Sequence, residues 1–252
     1  MKLNVFVIGL LVCGASALHA QSPQQVFEQA NQLYQQDKFA EARRAYESLV
    51  RNGYVGGELF YNLGNAYYRS GDVARAVLSY ERALRLIPND DDLRHNLLLA
   101  NLMIADKIEP TPRLFVWDYW DSIKQAMSLQ GITWLAYVFF VLAIGSGVVV
   151  ILSRTYRTRR VAFSTGIATA LVHVFLLVVI VARVSDLSRK DTAIVITSIT
   201  TVKNSPDEKG SDAFVLHAGV KVQITDRLKE WIEIRLADGK VGWMESSAAE
   251  SI

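Results

Sequence analysis

Residues 57–90 read GELFYNLGNAYYRSGDVARAVLSYERALRLIPND, and the small and aromatic residues of this segment recur 34 positions earlier in the chain. The equivalent pairs are Ala30 and Gly64, Ala42 and Ala76, and Tyr46 and Tyr80. A repeat of this length is typical of helix pairs that stack side by side. The period therefore predicts one helical hairpin over 23–56, a second over 57–90 and a further helix from Asp91.

The second hairpin resembles a tetratricopeptide repeat in its small, aromatic and proline positions. These positions are Leu63, Gly64, Tyr67, Ala76, Tyr80, Ala83 and Pro88. The resemblance implies an α-helical solenoid over 23–109, whose concave surface binds a partner protein. A last helix over Asp91–Lys107 is expected to cover the open end of the solenoid.

Asparagines form a second periodic pattern within the repeats. Asn31 and Asn65 are 34 positions apart, and so are Asn62 and Asn96. Such amides either hold the backbone of an extended peptide, with one acceptor and two donors each, or bridge the helices internally. The predicted partner-binding residues of the groove are Asn31, Tyr61, Asn62, Asn65, Tyr68, Arg69 and Asn96.

Some tetratricopeptide domains clamp a C-terminal carboxylate, and this chain resembles them at Asn31 and Asn62. The cationic residues of that clamp correspond here to Phe27, Asp92 and Asn96. Without those cations a free carboxylate would have no charge partner. We therefore expect a protein ligand in the groove, but not a captured C-terminus.

The N-terminus has the pattern of a secretory signal peptide over 1–20. Lys2 precedes an apolar run, and small residues lead to Ala20. An uncleaved anchor is the alternative, although the apolar run is short for a membrane span. Cleavage after Ala20 would remove Cys13, the single cysteine, and with it any disulfide or thiolate site.

Two longer apolar segments, Ile132–Leu152 and Val161–Ala182, carry no charge and are long enough to cross a membrane as helices. Residues 153–160 between them contain four arginines. Because short basic loops stay in the cytoplasm, both larger parts of the chain are expected on the opposite side of the membrane.

Residues 110–131 are rich in aromatic side chains and are expected to lie along the outer membrane surface. Within the second span, Thr165, Thr169 and His173 share one helix face, because they are four positions apart. Packing against the first span or another subunit is one interpretation of this face. Transport is the alternative, because an intramembrane histidine is often functional.

The C-terminal part, over 192–246, contains short alternating strands separated by turn residues. Its strings Leu216–Val222, Trp231–Arg235 and Asp238–Trp243 resemble the bacterial SH3-like domain, which implies a small all-β barrel. Trp231 is predicted on the outer face, where it contacts a partner or covers the mouth of the barrel. The tyrosine-rich loop that binds polyproline in eukaryotic SH3 domains is missing.

Other function classes find little support in the sequence. A net charge of +2, without a long basic run, argues against a nucleic-acid surface. Metalloprotease, hydrolase and phosphate-binding motifs are absent from the sequence. The sequence predicts no enzymatic activity, no metal site and no cofactor.

The order of these segments resembles the BatE family of the Bacteroides aerotolerance proteins, helped by the string Asp92–Leu97 after the second repeat. The resemblance implies a multi-domain membrane protein, with a tetratricopeptide solenoid, two transmembrane helices and an SH3-like barrel. It further implies a non-catalytic scaffold of the bacterial inner membrane whose two soluble domains face the periplasm. Its partners would be Bat proteins with von Willebrand A domains and a MoxR-type ATPase, in oxidative or envelope stress tolerance.

Two other functions stay open at this point. The C-terminal domain could bind peptidoglycan, which would make the protein a cell-wall sensor or tether. Alternatively, the face with Thr165, Thr169 and His173 could belong to a membrane transport assembly.

Overall fold

A computed structural model describes residues 22–112, 114–188 and 191–252. The predicted signal peptide over 1–20 lies outside these residues. Along the chain follow a group of five helices, a group of three helices that includes two long apolar ones, and an antiparallel sheet. The helical solenoid, the two apolar helices and the C-terminal sheet confirm the coarse fold expected from the sequence.

The first group consists of two helical hairpins and one following helix. Their bounds are α1 Pro23–Gln35, α2 Phe39–Arg51, α3 Gly57–Arg69, α4 Val73–Leu86 and α5 Asp91–Leu102. Side-chain caps determine where α4 and α5 begin. Asp72 and Asp90 each accept a hydrogen bond from the main-chain N–H three residues later, at 3.1 and 2.9 Å.

Small residues allow the helices of a hairpin to approach closely. A Cβ atom added to Gly64 of α3 would lie 2.5 Å from the ring of Tyr80 in α4, and Tyr80 is only 1% exposed. Ala30, Ala42 and Tyr46, the equivalent residues of the first hairpin, are likewise buried. The small and aromatic residues of the repeat pattern therefore form the core between the helices.

Helix α5 ends at Leu102, before the predicted end at Lys107. The ammonium group of Lys107 turns back and donates to the carbonyl oxygens of Asn101 and Leu102, at 3.2 and 2.8 Å. These bonds satisfy carbonyls that the last turn leaves without a partner. The chain leaves the helix here because Ile104 is buried against the sheet instead.

Two helices are long and apolar enough to span a membrane, α7 Leu129–Leu152 and α8 Tyr156–Ser188. Helix α8 extends beyond the predicted span at both ends and includes most of the basic segment 153–160. Arginine is a good helix former, and no glycine or proline interrupts this run, so the helix continues through it.

Helix α6, Phe115–Gln125, lies within the predicted aromatic segment and packs on α8. The ring of Trp120 is 6.4 Å from that of Phe175, and Lys124 forms an ion pair with Asp186. Arg183, which is buried, donates to the carbonyl oxygens of Lys124 and Met127 at the end of α6. The apolar side chains that α6 and the residue before it leave exposed are Leu114, Phe115, Val116, Trp117 and Tyr119.

The C-terminal part forms one antiparallel sheet. Its strands are β1 Thr192–Val195, β2 Ile199–Lys203, β3 Asp212–His217, β4 Lys221–Leu228, β5 Trp231–Arg235, β6 Val241–Glu245 and β7 Ala249–Ser251. They pair in the order β3-β2-β6-β5-β4-β1-β7, so β3 and β7 are the edges among the described pairings. Strand β7 lies beyond the predicted boundary at 246, and closure of the sheet into an SH3-like barrel stays a prediction.

The solenoid and the sheet share a hydrophobic core. Ile104 lies so close to Gly219 that an added Cβ there would be 2.8 Å from its Cγ1 atom. Next to this contact, the Asp106 carboxylate accepts the main-chain N–H of His217 at 2.7 Å and lies 2.9 Å from its Nδ1 atom. The two parts therefore pack directly against each other.

Helix α4 links the solenoid to the last strand and to α8. Arg82 donates to the Glu250 carboxylate at 2.9 Å and to the carbonyl oxygen of Ser251 at 2.6 Å. Arg85 donates to the carbonyl oxygens of Ile252 at 2.5 Å and of Leu187 at 2.9 Å. One face of α4 thus holds the C-terminal strand beside the end of α8.

We expect the substitution Gly64→Ala to destabilise the solenoid by about 1–3 kcal/mol, because the new methyl group has no space beside the buried Tyr80 ring. The matched control is Gly56→Ser, whose Cβ would meet only Leu59, at an ordinary 3.8 Å, and whose hydroxyl suits the N-cap position of α3. Chemical denaturation of the full chain in detergent, followed by circular dichroism of the helices, measures the difference. Equal unfolding midpoints for the two variants would contradict the close helix contact.

Candidate functional site

The predicted asparagines are joined to each other and to buried tyrosines. In the first hairpin, Asn31 Oδ1 accepts a hydrogen bond from the Tyr46 hydroxyl at 2.5 Å and another from Asn62 Nδ2 at 3.1 Å. Because Asn62 belongs to α3, this couple bridges two successive repeats. Internal bridging, one of the two interpretations open from the sequence, is therefore present at Asn31.

The same arrangement recurs one repeat later. Asn65 Oδ1 accepts from the Tyr80 hydroxyl at 2.8 Å and from Asn96 Nδ2 at 2.9 Å. Asn96 Nδ2 also lies 3.1 Å from the Tyr61 hydroxyl, to which it donates. Two equivalent amide couples, Asn31 with Asn62 and Asn65 with Asn96, thus run along the first helices of the repeats.

Part of each amide couple stays available for a ligand. Among the residues that the structure describes, the Nδ2 groups of Asn31 and Asn65 donate to no partner, and the Oδ1 atoms of Asn62 and Asn96 accept from none. None of these four atoms is fully buried, so each keeps some contact with solvent, and the four side chains are partly exposed. They present donors and acceptors in turn, which is also what a peptide main chain offers.

A cavity of about 180 Å³ lies beside the second amide couple. Its other walls are Tyr34, Tyr68, Tyr80, Arg69 and Leu99. The Arg69 guanidinium lies 4.2 Å from the Phe39 ring centroid and 3.6 Å from an Asp37 carboxylate oxygen, and it remains half exposed. We call this cavity and the two amide couples the groove.

Two groove residues, Tyr34 and Leu99, are not among the binding residues predicted from the sequence. The repeat period contains the signal that would have found them. Tyr34 is 34 positions before Tyr68, and Leu99 is 34 positions after Asn65. Equivalent positions of successive repeats line the same surface of a solenoid, so the period could have been applied to every groove position.

Burial raises the pKa of the tyrosine hydroxyls under the groove and in the hairpin core. Tyr46, Tyr67 and Tyr80 all have a pKa raised well above the ordinary value of 10.0, chiefly because burial disfavours the charged phenolate. For Tyr67 the hydrogen bond to Glu47, at 2.8 Å, raises the pKa further. Burial also raises the pKa of Tyr34, although the Arg69 charge opposes that effect.

The other predicted site residues lie away from the groove. Trp231 starts β5 and is half-buried, opposite Leu228 in β4 and Glu245 in β6. His173 Nδ1 lies 2.9 Å from the Ala136 carbonyl oxygen in α7, and the Thr169 hydroxyl donates to the Thr165 carbonyl oxygen of its own helix at 2.9 Å. The His173 contact joins α8 to α7, whereas the Thr169 hydrogen bond lies within α8.

Comparison with known proteins places the helical repeats in a family. Residues 27–91 match a family model described as tetratricopeptide repeat. This match covers most of α1 to α4, and it confirms that the solenoid is of the tetratricopeptide type. A search of curated proteins returned no match to the chain.

We expect the free energy of unfolding to fall as the pH rises above about 10, by about 1.4 kcal/mol per pH unit for each of the three buried hydroxyls. Above that pH the unfolded state releases these protons, whereas folded Tyr46, Tyr67 and Tyr80 keep them. Below it, all three are protonated in both states and this stabilisation is fully present.

An alkaline titration of the full chain, followed by the ultraviolet absorbance of tyrosinate and by circular dichroism, measures this effect. The same titration of the chain unfolded in concentrated denaturant serves as the reference, because every tyrosine is then exposed to solvent. If all tyrosines titrate together while the helices stay folded, the burial of these hydroxyls is refuted.

Proposed function

We propose that this protein is a non-catalytic, membrane-anchored scaffold that binds a partner protein in the groove of its tetratricopeptide solenoid. The observation that carries the proposal is the set of accessible amide donors and acceptors along the groove, repeated at the period of the helices. Tetratricopeptide repeats point to protein–protein interaction, and two apolar helices provide a means of attachment to a membrane.

The chemistry of the groove favours an extended peptide segment as the ligand. The amides of Asn31 and Asn65 would donate to main-chain carbonyls, while those of Asn62 and Asn96 would accept from main-chain N–H groups. Tyr34, Tyr68 and Leu99 offer apolar surface to side chains of the ligand. Arg69 is the cation of this cavity, and its ion pair with Asp37 already compensates part of its charge, so a strongly acidic ligand is not favoured.

The order of segments supports a place in the Bat system. A solenoid, an aromatic helix, two apolar helices and a C-terminal antiparallel sheet follow each other as the BatE resemblance implies. On this basis the partner is another membrane protein of that system, such as a Bat protein with a von Willebrand A domain, acting with a MoxR-type ATPase. The biological role would be tolerance of oxidative or envelope stress.

The proposed location is the bacterial inner membrane, with the solenoid and the sheet in the periplasm. The direct contacts between the solenoid and the sheet support a position of both on the same side of the membrane. Two successive spans support it as well, because a chain that crosses the membrane twice returns to the side on which it started. The arginines between α7 and α8 support a cytoplasmic position for that turn. The exposed aromatic side chains of α6 suit the interface beside the solenoid.

Site-specific photocrosslinking in the natural host tests the groove. A photoreactive phenylalanine in place of Tyr68 should give a discrete adduct with one membrane or periplasmic protein, and adding Arg69→Glu should weaken it several-fold. The matched control places the same residue at Tyr54, outside the groove, with Arg44→Glu added. Adducts of equal strength from both positions would sink the proposal, and so would no adduct at Tyr68.

Cysteine labelling tests the topology. In a Cys13→Ser background, Ser205→Cys in the loop between β2 and β3 should react with a membrane-impermeant maleimide in cells whose outer membrane has been opened. Thr155→Cys, between α7 and α8, should react only after the inner membrane is lysed. Both positions are exposed in the structure, so access depends on the membrane. Labelling of Thr155→Cys in intact spheroplasts would reverse the proposed orientation.

A further inference from the structure

A second cavity lies between α7 and α8, at the end where α7 stops and α8 begins. It has a volume of about 780 Å³. Its walls are apolar along most of their length, with Val141, Leu142 and Val161 among them, and each of these is about half exposed or more. The helices touch at Ser146, where an added Cβ on Gly166 would lie 3.2 Å away, and the cavity opens beside Gly145.

One end of this cavity is polar and strongly basic. Arg157 and Thr158 line it, and Arg154, Arg159 and Arg160 lie in the same turns of chain. All four arginines are exposed, and none forms an ion pair with any residue in the described part of the chain. The sequence contains no aspartate or glutamate between Asp121 and Asp186, so no counter-charge lies nearby along the chain.

The cations at the opposite end of the two helices have internal partners. Lys124 pairs with Asp121 and Asp186, and Arg183 donates to the carbonyl oxygens at the end of α6. The four arginines differ from these cations, because they have no ion-pair partner among the residues that the structure describes. Guanidinium groups bind phosphate through paired hydrogen bonds, and the beginning of helix α8 adds a favourable dipole for an anion.

We infer that this cavity binds an anionic phospholipid. Its phosphate lies against Arg157 and the neighbouring arginines, with the Thr158 hydroxyl as a further donor, and one acyl chain lies along the apolar walls beside Gly145. The inference rests on the proposed location of the protein in a membrane. Basic pockets between membrane helices on the cytoplasmic side are a known setting for anionic lipid headgroups.

The shape and charge of the cavity favour a lipid over another helix. An anionic phospholipid has one negative end and a long apolar remainder. The cavity matches this arrangement, because it is basic at Arg157 and apolar at Val141. A helix of a partner protein would need an acidic residue next to an apolar face at this one depth. An anionic phospholipid meets both requirements in a single molecule.

Native mass spectrometry of the full-length protein in detergent tests the inference. The probes are phosphatidylglycerol and phosphatidylcholine with identical acyl chains. We expect phosphatidylglycerol to bind about tenfold more tightly. Arg157→Gln and Gly145→Leu should each weaken that binding about tenfold, the first by removing a phosphate contact and the second by filling the acyl slot.

Matched controls separate the site from general effects. Arg227→Gln removes an exposed arginine of the sheet, and Gly147→Leu adds the same side chain to α7 at a glycine with open space around it. Neither change should alter lipid binding. The pattern in which only Arg157→Gln and Gly145→Leu weaken binding supports the inference.

Four results would overturn it. The first is equal binding of both lipids, and the second is loss of lipid binding with Arg157→Gln but not with Gly145→Leu. The third is displacement of the lipid by inorganic phosphate. The fourth is a dimer that shows no lipid preference and that Gly145→Leu dissociates. The last result would assign the cavity to a second copy of the chain. Because this measurement involves neither the solenoid groove nor the orientation in the cell, its failure is distinguishable from failure of the photocrosslinking and labelling experiments.

Discussion

The hydrogen bond from a buried tyrosine hydroxyl to an asparagine carbonyl is the contact on which both the solenoid and its groove depend. Tyr46 and Tyr80 fill the space between helices, and a buried hydroxyl without a partner would be costly. Asn31 and Asn65 supply the acceptors, and the same oxygens accept from the amides of the next repeat. Core packing therefore orients the amides, which leaves a defined set of donors and acceptors toward the groove. Stability and recognition are coupled through the same side chains, so replacing these asparagines would disturb both.

A second constraint is the position of the groove relative to the two apolar helices. Arg85 reaches both the end of the C-terminal strand and the end of α8, while Ile104 and Asp106 attach the last part of the solenoid to the sheet. Arg183 in turn holds the end of α6. These contacts hold the solenoid, the sheet, the end of α6 and the end of α8 together. A partner in the groove would thus meet a surface presented at a set place beside the apolar helices, rather than a domain on a free linker.

Local patterns in the sequence were sufficient for the helices of the repeats, the apolar helices and the presence of strands within 192–246. Each of these elements is determined by spacing, length or alternation within its own segment. Strand β7 was missed because three residues, Ala249–Ser251, carry too short a pattern, and they become a strand only by pairing with β1. The end of α5 was predicted too late, because Ile104 leaves the helix for a contact with Gly219, which is distant in the sequence. The asparagine ladders were recognised, but their two interpretations could not be separated from the sequence.

By itself, the sequence determined that the chain contains stacked helical hairpins, two helices able to span a membrane, and an antiparallel C-terminal part. Periodicity and hydrophobic length are properties of neighbouring residues, so they can be recognised without coordinates. Only the tertiary structure decided which amide atoms are used internally, that the solenoid packs on the sheet, and that a basic cavity opens between α7 and α8. These features arise from contacts between residues far apart in the chain, such as Arg82 with Glu250 and Asp106 with His217. Such contacts depend on how complete elements pack, and no local pattern encodes them.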